Sequence, residues 1–224
     1  MAALYDCSVP SELLTGMRLA RAAIGRGALV VIPTDTVYGI AADAFNPTAV
    51  QALLDAKGRT RSSPPPVLVP GVATLDALAE TVSQPVRDLV DAFWPGGLTI
   101  IVPARSSLAW DLGETRGTVA LRQPSDPIAL ELLTEVGPLA VSSANLTGEP
   151  AATTASLALE SLGDSVDVYL DGGATETITS TIVDASTFGV DGAIRIVRHG
   201  AVSEEQLRSI LGDVLVVPDE QPNG

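Results

Sequence analysis

The chain has 224 residues, with 27 Asp and Glu against 13 Lys and Arg, so its formal net charge is −14. One cysteine, Cys7, and one histidine, His199, exclude a disulfide framework, a Cys-rich zinc site and a His-pair metal site. The apolar runs, such as residues 28–33, are far shorter than the about 20 residues that span a bilayer, and no basic stretch precedes an apolar segment at the N-terminus. We therefore expect a cytoplasmic protein.

The distribution of the cations is more informative than their number. An acidic balance argues against a protein that lies along a nucleic-acid backbone, because such binding depends on neutralising phosphates. Twelve of the cations are Arg, and Lys57 is the only lysine. An arginine-biased genome explains the bias but does not explain why one lysine remains. A site built around an ammonium tolerates the bulkier guanidinium poorly, so Lys57 is a candidate for chemistry.

Helical and strand patterns alternate along the chain. Apolar residues from Leu13 to Ile24 recur at helical spacing, with Ser11 as the expected cap and Gly27 as the stop. A strand is predicted at 28–32 and a second helix from the cap Asn46 to about Lys57. A Pro-rich loop at 58–66 and a strand at 67–69 follow. Further helices are predicted at 75–82, 85–93, 127–136, 154–162 and 203–211, and further strands at 98–102, 119–121, 139–142, 166–170, 181–183 and 194–197.

This alternation predicts an α/β or mixed α+β fold with a sizeable twisted sheet. No internal repeat or low-complexity linker divides the chain, so we expect one domain over residues 1–217. Residues 218–224 are polar with two prolines, which predicts a disordered C-terminal tail.

Polar residues interrupt the apolar pattern where two predicted strands end, which is where open α/β sheets bind ligands. Pro33-Thr34-Asp35-Thr36-Val37-Tyr38-Gly39 follows the first strand, and Ser142-Ser143-Ala144-Asn145-Leu146-Thr147-Gly148 follows the strand at 139–142. The first segment is either a turn closed by the Asp side chain or a surface for a small polar ligand. The second either caps the next helix or offers small donors to phosphate oxygens.

Lys57-Gly58-Arg59 places two cations at the end of a helix. They either complement the helix dipole or clamp a phosphate group, with Gly58 turning the backbone so that both side chains reach one cavity. The segment is not a Walker loop, because the chain has no GxxxxGK[ST] sequence.

Further polar residues flank three other strands, at Thr118 and Arg122, at 179–181, and at Arg198. Each alone is also typical of a solvated strand end. Together with Lys57 and Arg59 they favour a polyanionic small molecule as the ligand over a polymer.

Eight segments in this order and spacing resemble the YrdC-like threonylcarbamoyl-AMP synthase family in its short form. They are PTDTVYG at 33–39, AKGR at 56–59, WPGGLT at 94–99, VALRQP at 119–124, SSANLTG at 142–148, DGG at 171–173, STIVD at 180–184 and VRHG at 197–200. The resemblance covers about residues 12–211. It implies a twisted, mostly parallel open sheet with surrounding helices and a concave, locally positive ligand cavity.

The resemblance also implies an activity, the formation of threonylcarbamoyl-AMP and pyrophosphate from L-threonine, bicarbonate or CO2, and ATP with Mg2+. A separate transferase system would pass the product to tRNA, and direct tRNA binding would be weak or absent. By motif, Lys57 and Arg59 would be catalytic. The ATP contacts would be Lys57, Arg59, Arg61, Thr118, Ser143, Asn145 and Arg198, and the threonine contacts would be Thr34, Thr36, Ser63, Arg122 and Ser180; no protein residue is expected to bind a metal.

Two further features bear on this interpretation. The loop 58–66 is the candidate lid over a labile product. The segment 60–68 departs from the family pattern, with Leu68 where many relatives have a histidine. Two alternative functions remain open at this point, a non-catalytic module that binds double-stranded RNA or tRNA, and a related enzyme that forms another carbamoyl adenylate.

Overall fold

The computed structural model describes residues 2–217, which form eight α-helices, eleven β-strands and two short 3-10 turns. The predicted tail at 218–224 lies outside the described residues. The helices are α1 (Pro10–Gly25), α2 (Pro47–Lys57), α3 (Val72–Leu78), α4 (Gln84–Phe93), α5 (Pro127–Val136), α6 (Ala155–Leu162), α7 (Phe188–Asp191) and α8 (Glu204–Leu211). The strands are β1 (Ala3–Asp6), β2 (Val30–Ile32), β3 (Gly39–Asp43), β4 (Val67–Leu68), β5 (Leu98–Pro103), β6 (Thr118–Arg122), β7 (Leu139–Ser143), β8 (Val168–Asp171), β9 (Thr181–Asp184), β10 (Ile194–Arg198) and β11 (Leu215–Val216).

Local sequence signals explain where most helices begin. Asn46, Asp126, Thr154 and Ser203 each accept a hydrogen bond from a backbone N–H in the first turn of the helix that follows. The predicted cap of α1 is wrong. Ser11 lies inside α1, and the helix begins after Val9 with Pro10 at its first position, where the fixed φ angle of proline suits a helix start.

All eleven strands belong to one sheet in the order β1-β8-β2-β3-β7-β4-β6-β5-β9-β10-β11. The predicted α/β fold with an open sheet and surrounding helices is confirmed. The pairings among residues 2–217 are five parallel and five antiparallel, so the share of parallel pairing is one half. Short connections are one reason for the antiparallel pairs. The links 33–38 and 185–193 are too short for the crossover that parallel neighbours require.

Helices cover both faces of the sheet around β2. Val30 and Ile32 pack in a core with α1 and α5, whereas Val31 packs on the opposite face with α2 and α6. All three residues are therefore fully buried, and β2 has no polar residue between them. This explains why β2 is a continuous apolar run.

The sheet around β5 is organised differently. Leu98 and Ile100 pack in a core with α4 and α8, while the alternating residues Thr99 and Ile101 face a cavity. Because successive strand residues point to opposite faces, β5 separates the helices on one side from the cavity on the other.

The predicted and observed elements differ mainly where contacts between distant parts of the chain determine the local structure. The predicted helix 75–82 is α3 at Val72–Leu78, and β1, β3, β11 and α7 were not predicted. β1 pairs with β8, which is distant in sequence, and β11 has only two residues. No helix in the described part of the chain is long and apolar enough to cross a membrane.

Candidate active site

The cavity beside β5 has a volume of about 280 Å³ and collects most of the predicted site residues. Eight of the twelve line it: Thr34, Thr36, Arg59, Thr118, Arg122, Ser143, Ser180 and Arg198. The structure therefore brings together side chains from the loop after β2, the end of α2, and strands β6, β7, β9 and β10.

The electrostatics of the cavity are opposite in sign to those of the whole chain. Three arginines line the cavity, and no Asp or Glu within residues 2–217 does so. Burial lowers the pKa of Arg198, and the positive charges of Arg122 and Arg59 lower it further. Burial also lowers the pKa of Arg59. Three guanidinium groups held this close together favour an anionic ligand.

Arg122, at the end of β6, is the most deeply buried of these cations, with 6% of its surface exposed. Its Nε donates to Gly96 O at 2.9 Å and its Nη1 to Thr36 Oγ1 at 2.9 Å. Its Nη2 lies 2.8 Å from Asp35 Oδ1. The guanidinium is thus held on three sides by groups from two loops.

The hydroxyls of Thr34 and Thr36 form a chain of hydrogen bonds in which donation runs from Arg122 to the carbonyl of Val37. Thr34 donates to Val37 O at 2.6 Å, so in the 3.0 Å contact between the two hydroxyls Thr36 is the donor. Thr36 in turn accepts from Arg122. In this arrangement the hydroxyl hydrogens of Thr34 and Thr36 are both used in hydrogen bonds within the protein. The two side chains therefore support Arg122.

The carboxylate of Asp35 does not close a local turn. Its Oδ1 accepts the backbone N–H of Ser125 at 2.9 Å, 90 residues further along the chain. Of the two sequence interpretations of segment 33–39, the structure therefore favours the ligand-facing one, and Asp35 joins this loop to the end of β6.

A second hydroxyl network lies where β9 begins. Arg198 donates from Nε and Nη2 to Ser180 O at 3.1 and 2.7 Å, and from Nη2 to Ser180 Oγ at 3.0 Å. Ser180 Oγ also contacts Thr99 Oγ1 at 2.9 Å. These contacts hold Arg198 on the part of the cavity wall formed by β9 and β10.

The end of α2 presents Arg59 to the cavity. Gly58 follows the helix with φ 63°, a left-handed conformation that glycine adopts without a steric penalty. Arg59 then donates from Nη1 to Ser142 Oγ at 3.1 Å, which links α2 to the end of β7.

Lys57 is fully buried and does not line the cavity. Its Nζ donates to Ser143 O and, at 2.6 Å, to Asn145 O. In the opposite direction, Lys57 O accepts from Thr147 N at 3.0 Å and from Thr147 Oγ1 at 2.8 Å. Burial, followed by the charge of Arg59, lowers the pKa of Lys57 to about 7. In this conformation the only lysine ties α2 to the 142–148 loop, and its predicted contact with phosphate stays a prediction.

Three other predicted residues also lie outside the lining. Arg61 and Ser63 are exposed, and Arg61 Nη2 is paired with Asp111 Oδ1 at 2.5 Å. Asn145 is buried, and its Nδ2 donates to Leu146 O and Glu149 O, both at 2.8 Å. Their predicted roles with ATP or threonine stay predictions.

Some lining residues were not among the twelve predicted contact residues. Prolines 64–66, Leu68, Thr99, Ser142 and Thr179 all face the cavity. A signal existed for Thr99, a lone hydroxyl within the apolar run 98–102. Leu68 presents an apolar surface at the position where the family pattern has a histidine.

The cavity lining does not provide a resident magnesium site. Mg2+ is usually held by one or two carboxylates together with substrate phosphates and water. The lining has hydroxyls but no carboxylate, and residues 2–217 contain no group of three or more His, Cys, Asp and Glu suited to a metal ion.

The fold and the cavity together define a class: an α/β protein with an arginine- and hydroxyl-lined pocket for a small polyanionic ligand. The chain belongs to the Sua5/YciO/YrdC family, whose model carries the description "Telomere recombination" and matches residues 22–200. The family predicted from the eight motifs is thereby confirmed.

Named relatives cover most of the chain. A putative threonylcarbamoyl-AMP synthase of Mycobacterium tuberculosis is 49% identical over 214 residues, which cover 95% of this chain and 96% of the relative. The threonylcarbamoyl-AMP synthase of Bacillus subtilis is 34% identical over 200 residues, which cover 88% of this chain and 57% of that longer relative.

A solved structure extends the comparison to three dimensions. Sua5 of Pyrococcus abyssi complexed with L-threonine superimposes with a TM-score of 0.85 at 29% identity. The match covers 97% of this chain and 62% of that structure.

Proposed function

We propose that this chain is a threonylcarbamoyl-AMP synthase, an enzyme that forms threonylcarbamoyl-AMP and pyrophosphate from L-threonine, bicarbonate or CO2, and ATP. The observation that supports this most strongly is the cavity lined by Arg59, Arg122 and Arg198, in a chain 49% identical to a relative of that name. ATP and the N-carboxylated threonine that must react with it are both anions, and a cavity with three cations can hold them together.

The proposed reaction has two steps. The threonine amine adds to CO2 and loses a proton, which gives an N-carboxylate. An oxygen of this carboxylate then attacks the α-phosphorus of ATP, the bond from this phosphorus to the oxygen that bridges to the β-phosphorus breaks, and pyrophosphate leaves. The lining in the described part of the chain has no His, Lys, Asp or Glu, so fixed cations and positioning supply the catalysis.

We assign the threonine end of the cavity to the region around Arg122. A buried guanidinium can pair with the threonine carboxylate in a bidentate geometry. Thr34, Thr36 and Ser180 surround this region, and the first two already stabilise Arg122. Ser63 is exposed, and a threonine contact from it would require the loop 58–66 to move.

We assign the ATP end to Arg59 and Arg198, with Thr118 and Ser143 on the wall. Lys57 and Asn145 act here through the 142–148 loop, which the lysine holds by two backbone carbonyls. Arg61 would reach a phosphate only after leaving Asp111. Since the lining offers no carboxylate, Mg2+ enters with ATP as its complex.

The cellular setting is part of the proposal. The protein acts in the cytoplasm and releases its adenylate to a transferase system that modifies tRNA. Its own tRNA binding is weak or absent, because a chain with net charge −14 repels a polyanion outside the cavity.

Pyrophosphate release tests the activity. Purified protein with L-threonine, bicarbonate and MgATP should release pyrophosphate, and omission of threonine should abolish the release. Lys57→Ala and Arg59→Ala should each lower the rate at least about 100-fold, since small misplacements of reacting groups cost rates of that order. Arg18→Ala removes an exposed arginine outside the cavity and should leave the rate unchanged. Threonine-independent release, or equal rates in all four proteins, would contradict the proposed function.

A further inference from the structure

The side chain of Asp35 lies between two loops at the edge of the cavity, with 17% of its surface exposed. Its Oδ1 accepts the N–H of Ser125 at 2.9 Å and lies 2.8 Å from Nη2 of Arg122. One oxygen thus connects the loop after β2, the backbone after β6 and the most buried arginine. A carboxylate that bridges two segments 90 residues apart has a role beyond closing a local turn.

Arg122 has five N–H donors, and the protein engages the guanidinium unevenly. Nε and Nη1 each donate one good hydrogen bond, to Gly96 O and Thr36 Oγ1. Nη2 is buried and lies 2.8 Å from Asp35 Oδ1. The carboxylate of Asp35 therefore holds the third nitrogen of the guanidinium and fixes the orientation of the group.

The charge of Asp35 also matters to Arg122. Burial lowers the pKa of Arg122, and the neighbouring carboxylate acts in the opposite direction. A buried guanidinium without a counter-charge is strongly unfavourable, and removing one partner of a buried pair usually destabilises the other. The carboxylate therefore compensates part of the cost of burying the arginine.

From these contacts we propose that Asp35 is a positioning residue, which orients the guanidinium of Arg122 on the cavity wall toward the carboxylate of the amino-acid substrate. Asp35 itself does not touch that substrate and does not line the cavity. The identity of the carboxylate as that of threonine rests on the proposed function. The orientation of the guanidinium is a separate claim and can be measured without a substrate.

Two variants and a matched control test this role. Asp35→Asn keeps an oxygen for the Ser125 N–H but removes the charge, whereas Asp35→Ala removes both. Asp91→Asn is the control, since Asp91 is exposed and lies outside the cavity. Titration calorimetry gives the Kd of threonine and of ATP for each protein. We expect the Kd of threonine to rise about 10- to 100-fold in Asp35→Ala and less in Asp35→Asn, with the Kd of ATP changed less than twofold.

An NMR measurement separates this inference from the proposed function. In the wild-type protein, the side-chain N–H signals of Arg122, assigned with Arg122→Lys, should show slow solvent exchange and restricted rotation of the Nη groups. In Asp35→Asn both properties should be lost. Unchanged Arg122 signals, an unchanged Kd of threonine, or equal weakening of threonine and ATP would overturn the positioning role. Failure of the wild-type protein to bind threonine would instead overturn the proposed function, while the Arg122 signals would still decide the role of Asp35.

Discussion

At the scale of single residues, Lys57 shows how burial changes the chemistry of a side chain. The ammonium is fully buried, and its hydrogen bonds go to the backbone carbonyls of Ser143 and Asn145. No ion pair of Lys57 occurs among residues 2–217, although such a buried charge is costly without compensation. The lowered pKa of about 7 is the consequence.

This pKa predicts how stability depends on pH. Between about pH 7 and 10.5 the folded protein has lost the Lys57 proton, whereas the unfolded chain still binds it. Stability therefore rises with pH in this window, by at most about 1.4 kcal/mol per pH unit from this group. We expect wild type to gain free energy of unfolding relative to Lys57→Met as the pH rises from 7 to 9, measured by urea denaturation. A constant difference between the two proteins would contradict the lowered pKa.

At the scale of elements, two segments close over the cavity together. The predicted lid 58–66 contributes prolines 64–66 to the lining, and the β5–β6 connection at 104–117 contributes Leu112 and Thr115. They meet at Arg61, whose carbonyl accepts from Glu114 N at 2.8 Å and whose guanidinium pairs with Asp111. The ion pair is exposed and contributes little, so the backbone contact is the stronger link.

Gly113 permits this backbone contact, and its substitution should open the lid. A Cβ atom on Gly113, at φ 104°, would lie 2.6 Å from Arg61 O. Gly117 has φ 79° with no atom within 4 Å of such a Cβ, so Gly117→Ala reproduces the backbone strain without the clash. We expect trypsin to cleave after Arg59 and Arg61 about tenfold faster in Gly113→Ala than in Gly117→Ala, since about 1.4 kcal/mol in an opening equilibrium is a factor of ten. Equal cleavage rates would mean that the two segments close independently.

At the scale of the whole molecule, the acidic residues among residues 2–217 lie outside the lining that carries the cavity arginines. The chain carries a net charge of −14, yet the cavity lining holds three arginines and, in the described part, no carboxylate. Among residues 2–217, seven ion pairs join arginines to carboxylates, and one of the seven, Arg122 with Asp35, involves a lining residue. A positively charged lining of small-molecule size therefore lies within an acidic chain.

This separation predicts the response to nucleic acid and to salt. We expect tRNA to bind more weakly than about 100 μM even at 50 mM salt, the weak end of non-specific protein binding to nucleic acid. MgATP should bind more tightly than tRNA under the same conditions. Filter binding measures the affinity for tRNA, and calorimetry measures the affinity for MgATP. Salt-dependent tRNA binding in the micromolar range without ATP binding would favour an RNA-binding module instead.

The sequence by itself determined the class of fold and the family, and it selected eight residues that line the cavity. Strand ends followed by hydroxyls, and cations at a helix end, are local patterns, and eight of the twelve residues selected from those patterns and the family motifs line one cavity. Caps such as Asn46 and Ser203 also act within four residues, so they could be predicted from the sequence.

Only the tertiary structure decided which of these side chains face a ligand and which support a neighbour. Lys57 and Ser143 are 86 residues apart, Arg122 and Thr36 are also 86 apart, and Asp35 and Ser125 are 90 apart. The partner of a buried charge is selected by burial and geometry in the folded chain, because an unpaired polar group is costly only where water is excluded. The sequence therefore identified Lys57 and Arg122 as important, and the packing of distant loops decided that one ties α2 to a loop while the other faces the cavity.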